Sequence, residues 1–279
     1  SGAEHVKTQA KTRAGANVVA YAATIIFLIP IYILINLSLR PTGDTTPGFL
    51  PSRHATLDNY ITAWTTSALP GSILTSVVVT TLSSVLVLAM ATMAAYPLAR
   101  STARLSTATF YTFLVGLLLP FQLAVLPIYF QMRDLGLLGT IWSLIIVYGG
   151  VQMPFSIFLI TTFLRTSVPA EYEEAAYIDG CGSIRTFWHV VVPLMRPVLG
   201  TCLILNGVGI WNDFFTPLIF LAGSSQITIP MAIYQFVGQY VSNWPLIFAS
   251  LVISMIPILA VYLMLQRYVI QGFAGGLKG

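Results

Sequence analysis

"EYEEAAYIDGCGSIRTFWHVVVP", residues 171–193, holds four of the chain's nine carboxylates. It lies between two stretches, 135–164 and 197–212, that contain no Asp, Glu, Lys or Arg. That contrast decides the fold class. Charged residues make up 8% of the 279-residue chain, against roughly 25% in an ordinary soluble domain. So little charge cannot clothe a water-facing surface of this size. Uncharged runs cover 14–39, 59–99, 105–132, 135–164, 197–212 and 214–266. The longer ones exceed the roughly 20 apolar residues that a helix needs to cross hydrocarbon. The expectation is an all-α, polytopic membrane protein.

Six transmembrane helices fit these runs, near 17–38, 71–98, 107–131, 140–164, 197–221 and 245–268. Turn residues in "TTSALPG" at 65–71 assign the first third of 59–99 to an outer loop, and "AGSSQITIP" at 222–230 divides 214–266 in the same way. The organisation that follows is an N-terminal segment 1–16, a six-helix domain 17–268 and a tail 269–279. Within the domain lie a polar hairpin, 167–193, and an outer loop, 222–243. The apolar run Val18–Leu37 is longer than a signal-peptide core and no small-residue cleavage pattern closes it, so it reads as a span.

Orientation follows from Lys and Arg. With both termini cytoplasmic, Lys7, Lys11, Arg13, Arg100, Arg104, Arg165, Arg185, Arg196, Arg267 and Lys278 lie inside, and only Arg40, Arg53 and Arg133 lie outside. The polar hairpin then faces the cytoplasm. Pro30, Pro97, Pro120, Pro127, Pro154, Pro217 and Pro257 fall within the spans. They read either as ordinary kinks or as bends around a pathway, where the freed carbonyls find other partners.

Several functions are excluded early. The cysteines are Cys181 and Cys202, and the histidines His5, His54 and His189 lie far apart in the topology, so neither a disulfide framework nor a metal site is expected. No Gly-Lys pair occurs, and a phosphate-cradling G-x-x-x-x-G-K-[ST] loop requires one. No catalytic cluster is visible, so the chain reads as a non-enzyme. The net charge of +4 is spread along the sequence rather than gathered on one face, which argues against nucleic acid.

Within the hairpin, Ile184, Phe187, Trp188, Val191 and Val192 form one apolar stripe at helical spacing, with Arg185 and His189 on the opposite face. Pro169 suits the first turn of a preceding helix, and Glu171, Glu173 and Glu174 suit the positive end of its dipole. Gly180 and Gly182 separate the two. The expected form is a helix–turn–helix whose second half lies against the bundle. An acidic helix containing Ala175 and Ala176 suits docking into another protein; a solvated loop kept out of the membrane by its charges is the alternative.

Glu174-Ala175-Ala176, then Gly180 after three residues, then Val190-x-Val192-Pro193 after nine more, resembles the EAA loop of ABC-importer permeases. Val stands where that pattern has Ile and Leu. "EYEEAAYIDG", "VVVPLMRP" and "WNDFFTPLIFL" at 211–221 look like the carbohydrate-uptake, maltose-type branch, and the six-span layout agrees over essentially the whole chain. The resemblance implies an inner-membrane permease without its own ATPase in the bacterial cytoplasmic membrane, moved by two ATPase subunits that bind ATP and Mg. It implies a second homologous permease, an extracellular or periplasmic solute-binding protein and surrounding lipid. This chain itself would bind no cofactor. The coupling residues carried over are Glu171, Glu173, Glu174, Ala175, Ala176, Asp179, Gly180 and Pro193.

Possible pathway residues are Gln122, Gln152, Asn206, Trp211, Asn212 and Asp213. Asp213 reads either as a polar contact along the pathway or as a cap satisfied by nearby backbone. The amides suit sugar hydroxyls, and they equally suit interhelical hydrogen bonding. The outer loop holds Gln226, Tyr234, Gln235, Gln239 and Tyr240 but no Asp, Glu, Lys or Arg. Rings and amides there fit a sugar-handling surface or an aromatic belt at the headgroups. In related permeases this loop reaches the binding protein. Permeases for polyols or glycerol phosphates are similar enough to stand as an alternative. An ion-coupled carrier would need buried ionisable groups that these spans lack.

Overall fold

Among the described residues thirteen helices account for most of the chain, and no strand occurs. The computed structural model describes residues 2–66, 68–239 and 243–276; of 2–16, 18, 66, 236, 238, 239, 265 and 267–276 it describes the backbone alone. The helices are α1 (Gly2–Ser38), α2 (Asp58–Thr66), α3 (Leu69–Arg100), α4 (Arg104–Leu118) and α5 (Phe121–Asp134). There follow α6 (Ile141–Val151), α7 (Met153–Ser167), α8 (Glu171–Ile178) and α9 (Ser183–Leu194). The last four are α10 (Arg196–Asn212), α11 (Phe215–Phe220), α12 (Ile229–Gln239) and α13 (Trp244–Gly276).

Among the described residues three helical stretches are long and apolar enough to cross a membrane: Val19–Ser38, Leu69–Arg100 and Trp244–Met264. Three bent pairs qualify only when each is taken together: α4 with α5 (100°), α6 with α7 (43°) and α9 with α10 (70°). These pairs overlap the spans expected at 107–131, 140–164 and 197–221, and each is broken by a bend. Proline chemistry supplies the reason. Leu119 precedes Pro120 and takes an extended backbone, φ −82° and ψ 120°, because the proline ring clashes with a helical residue before it. Pro154 and Pro197 sit in the first turns of α7 and α10, where a missing N–H costs nothing. At 213 the chain turns extended again, and the short α11 replaces the last part of the expected fifth span. Within the stretch read as an outer loop lies a helix, α12.

The chain divides into two compact units. The first comprises Ser1–Leu69 and Ile233–Met255. In it, the segment after α1 is tied back by polar side chains. Asn36 donates to the carbonyls of Gly48 and Leu50, each at 2.8 Å. Arg40, only 4% exposed, donates to the carbonyls of Thr46, Pro47 and Leu50. Asn59 of α2 donates to the carbonyls of Ser38 and Arg40. A buried guanidinium is tolerated because loop carbonyls surround it.

The second unit comprises Pro70–Ala232 and Ile256–Gly279. It holds two apolar cores. One joins Ala91 and Ala95 of α3, Ile157 and Ile160 of α7, Phe187 and Val191 of α9 and Cys202 of α10. The other joins Val79 of α3, Leu144 and Tyr148 of α6, Ile210 of α10 and Phe220 of α11. Helices α3, α7 and α10 thus form the frame on which the polar hairpin is mounted.

Candidate coupling hairpin

Helix α8 begins just after Pro169 and carries Glu171, Glu173 and Glu174 in its first turn, where the dipole favours negative charge. It ends in a Schellman motif. The Gly180 N–H donates to the Tyr177 carbonyl at 3.0 Å and the Cys181 N–H to the Ala176 carbonyl at 2.9 Å. The motif places residue 180 at φ +80°, a conformation that glycine adopts without penalty.

Helix α9 is not uniformly α-helical. Phe187–Val191 wind as a π-helix, and the Val192 N–H bonds to the Phe187 carbonyl. Pro193 has no N–H for the His189 carbonyl, and its ring would crowd that carbonyl in a regular turn. A widened turn relieves the conflict. The shift also splits the expected apolar stripe: Phe187 and Val191 are buried, whereas Ile184 is 78% and Trp188 54% exposed. The stripe expected to lie against the bundle therefore has Ile184 and Trp188 turned to the outside.

The acidic residues divide in a similar way. Glu171, Glu174, Ala175, Asp179 and Gly180 are exposed, and Pro193 is half-buried. Glu173 and Ala176 face inward. Both Glu173 carboxylate oxygens are engaged: Oε1 accepts from Arg100 Nε at 2.7 Å and Oε2 from the Tyr96 hydroxyl at 2.7 Å. Arg100 also donates to the carbonyls of Leu164 (3.3 Å) and Val168 (2.8 Å), at the end of α7. In return Arg165 of α7 donates to the Leu98 carbonyl at 2.8 Å and lies over the Phe110 ring at 4.8 Å. Each helix thus has C-terminal carbonyls satisfied by an arginine from the other, as the negative end of a helix dipole favours. In the sequence Arg100 and Arg165 served only to mark the membrane side, and Tyr96 drew no attention. The signal available was a Tyr and an Arg four residues apart at a helix end.

The outer face of the hairpin is a mixed surface. Tyr172, Tyr177, Ile178, Ile184 and Trp188 are exposed among the free carboxylates. Such a surface can contact a second protein through apolar packing while the acidic groups select a basic partner.

The proposed pathway residues do not form one cluster. Asn206, 1% exposed, donates to Ser156 Oγ at 2.9 Å and so links α10 to α7. Gln152 lies at the α6–α7 break with its amide nitrogen close to Gly209 of α10. Gln122 is exposed in the first turn of α5, and Asn212 bonds back to the Val208 carbonyl. Asp213 Oδ1 accepts from the N–H groups of Phe215 and Thr216, and Oδ2 accepts from the Tyr148 hydroxyl at 3.0 Å. It starts α11 and ties it to α6. Trp211 borders an apolar cavity of about 270 Å³ between α3, α10 and α13, together with Thr80, Ser84, Gly207 and Tyr262. Of the outer-loop residues, Gln226, Tyr234 and Gln235 are exposed. The Gln239 side chain and Tyr240 lie outside the described residues.

Comparison with known proteins places this geometry in context. The family described as "Binding-protein-dependent transport system inner membrane component" matches residues 10–275. The chain is 32% identical to the melibiose/raffinose/stachyose import permease MelC of Bacillus subtilis over 90% of its length and 91% of that protein. It is 35% identical to the multiple sugar-binding transport system permease MsmG of Streptococcus mutans, over 90% of its length and 92% of that protein. Among solved structures it is similar to a bacterial ABC transporter involved in import of the acidic polysaccharide alginate. There the TM-score is 0.77 and the identity 25%, with 92% of this chain and 97% of the other covered.

Proposed function

The chain belongs to the binding-protein-dependent transport system inner membrane components, and on that premise we propose that it is the permease subunit of an ATP-driven carbohydrate importer in the bacterial cytoplasmic membrane. It forms half of the translocation pathway, and a second homologous permease forms the other half. An extracellular solute-binding protein delivers the sugar. Two separate ATPase subunits, which bind ATP and Mg, supply the energy through the hairpin. In this reading each of the three bent pairs supplies one span, the last of them through α10, which with the three long helices makes six and leaves both termini in the cytoplasm.

One observation carries the proposal: the α8–α9 hairpin is fastened to the bundle along its rear and bare along its front. A chain whose sequence has no Gly-Lys phosphate-binding loop must be moved from outside. A rigid knob bearing Glu174, Ile178 and Trp188 is a suitable handle, because a partner that grips it differently in two states biases the bundle between them. The permeases MelC and MsmG support a saccharide cargo, and the uncharged character of the outer loop suits a neutral one.

The test is import into proteoliposomes that contain both permeases, the ATPase subunits and the binding protein, with radiolabelled raffinose as probe. Uptake should require internal ATP and persist when the proton and sodium gradients are collapsed. Loss of uptake on uncoupling, with ATP plentiful, would overturn the reading. Replacing Glu174 by Lys should lower the amount of ATPase that co-purifies with the permease. Unchanged co-purification and uptake would reduce the hairpin to a loop.

A further inference from the structure

We infer that Glu173 is a positioning residue that transmits movement of the hairpin to α3, and that it does not contact the ATPase; the inference rests on the coupling role proposed above. Its sequence neighbours Glu171 and Glu174 point outward, whereas Glu173 is 6% exposed and has both oxygens bound to α3. The two residues it grips, Tyr96 and Arg100, are one helical turn apart and share a face of α3. Pro97 lies between them inside the helix and has no N–H for the Met93 carbonyl, so the backbone ladder is weakened just before this last turn.

The second arm of the hairpin grips the same turn. The Phe187 ring lies 5.0 Å from the Tyr96 ring, and exposed Trp188 packs edge-on against Phe187 at 5.1 Å. Both arms of the hairpin therefore meet at Tyr96, one through a carboxylate and one through a ring. Arg100 extends the connection to α7 through the carbonyls of Leu164 and Val168. A force applied at Trp188 or Glu174 reaches α3 through these contacts.

The reporter is Met93→Cys, on the exposed face of α3 three residues before Tyr96, in a chain that also carries Cys181→Ser. The same chain without Met93→Cys serves as the blank for buried Cys202. The complex with its ATPase subunits is purified, and the maleimide labelling rate is compared without nucleotide and after trapping with ATP and vanadate. In the parent the two rates should differ at least about fivefold, the lower end of ordinary allosteric coupling. With Glu173→Gln, ATPase retention and vanadate trapping should persist while the labelling difference collapses; Glu173→Asp should restore most of it. Tyr96→Phe, which removes a single hydroxyl, should show an intermediate loss and covers the case in which Glu173→Gln fails to fold. The inference is overturned if both variants keep the full difference, if Glu173→Gln loses the ATPase, or if the parent's labelling ignores nucleotide. If no ATPase is retained by the parent, the coupling reading itself falls, and this inference falls with it.

Discussion

Gly180 sits at φ +80° with nothing within 4 Å of where a Cβ would be, so a substitution there meets strain and no clash. Gly180→Val should cost about 1–2 kcal/mol, and Gly180→Asn much less, since Asn tolerates the left-handed region. Thermal unfolding of the detergent-solubilised protein separates the two. Asn206 offers a second measurement. Asn206→Leu removes the bond to Ser156, and membrane-protein averages place that loss near 0.6 kcal/mol. A double-mutant cycle with Ser156→Ala isolates it. The EAA spacing made Glu174 and Gly180 legible in the sequence, because a linear pattern carries residue order. It did not reveal that Glu173 points the other way. Helix phase relative to the core depends on what the core presents, here Arg100 and Tyr96 from a helix more than seventy residues earlier.

The connection between α1 and α2 illustrates control at the level of an element. Its Asp44 carboxylate is held down to about 2 from an ordinary 3.8, first by the Ser52 hydroxyl and then by the hydroxyl and N–H of Thr46. A depressed carboxylate contributes stability above its unfolded pKa and loses it as pH falls toward the folded value. The order of segment 39–57 should therefore be full above about pH 4 and decline toward pH 2. Amide exchange of that segment between pH 5 and pH 2 checks this, and Asp44→Asn should flatten the profile. Arg40, which the sequence offered only as an outer cation, is the post around which the segment folds. Charge counting reports on which side a residue lies and says nothing about its partners. The same limit applies to the prolines. Pro120 and Pro154 read from the sequence as kinks or bends within spans, yet whether each kinks or folds a span depends on the neighbours available to the freed carbonyls.

For the whole molecule, the proposed topology can be tested with one cysteine already present and one introduced. Cys181 lies in the hairpin turn and is partly accessible, and Leu135 lies exposed after α5. A membrane-impermeant maleimide applied to intact cells should label Leu135→Cys at once and Cys181 only after permeabilisation. Labelling of Cys181 from outside would end the six-span reading, and the cytoplasmic ATPase with it. Hydrophobic run length and charge bias settled, from sequence alone, that the chain is helical and built for a membrane, because transfer of apolar surface out of water depends on composition and not on neighbours. Family membership was legible too, through residue types at set spacings. Only the tertiary structure decided where the spans break and which hairpin residues face in or out. It also showed that α3 and α7 satisfy each other's ends. Those outcomes depend on contacts between residues distant in the chain, and a local pattern holds no information about which partner will be within reach.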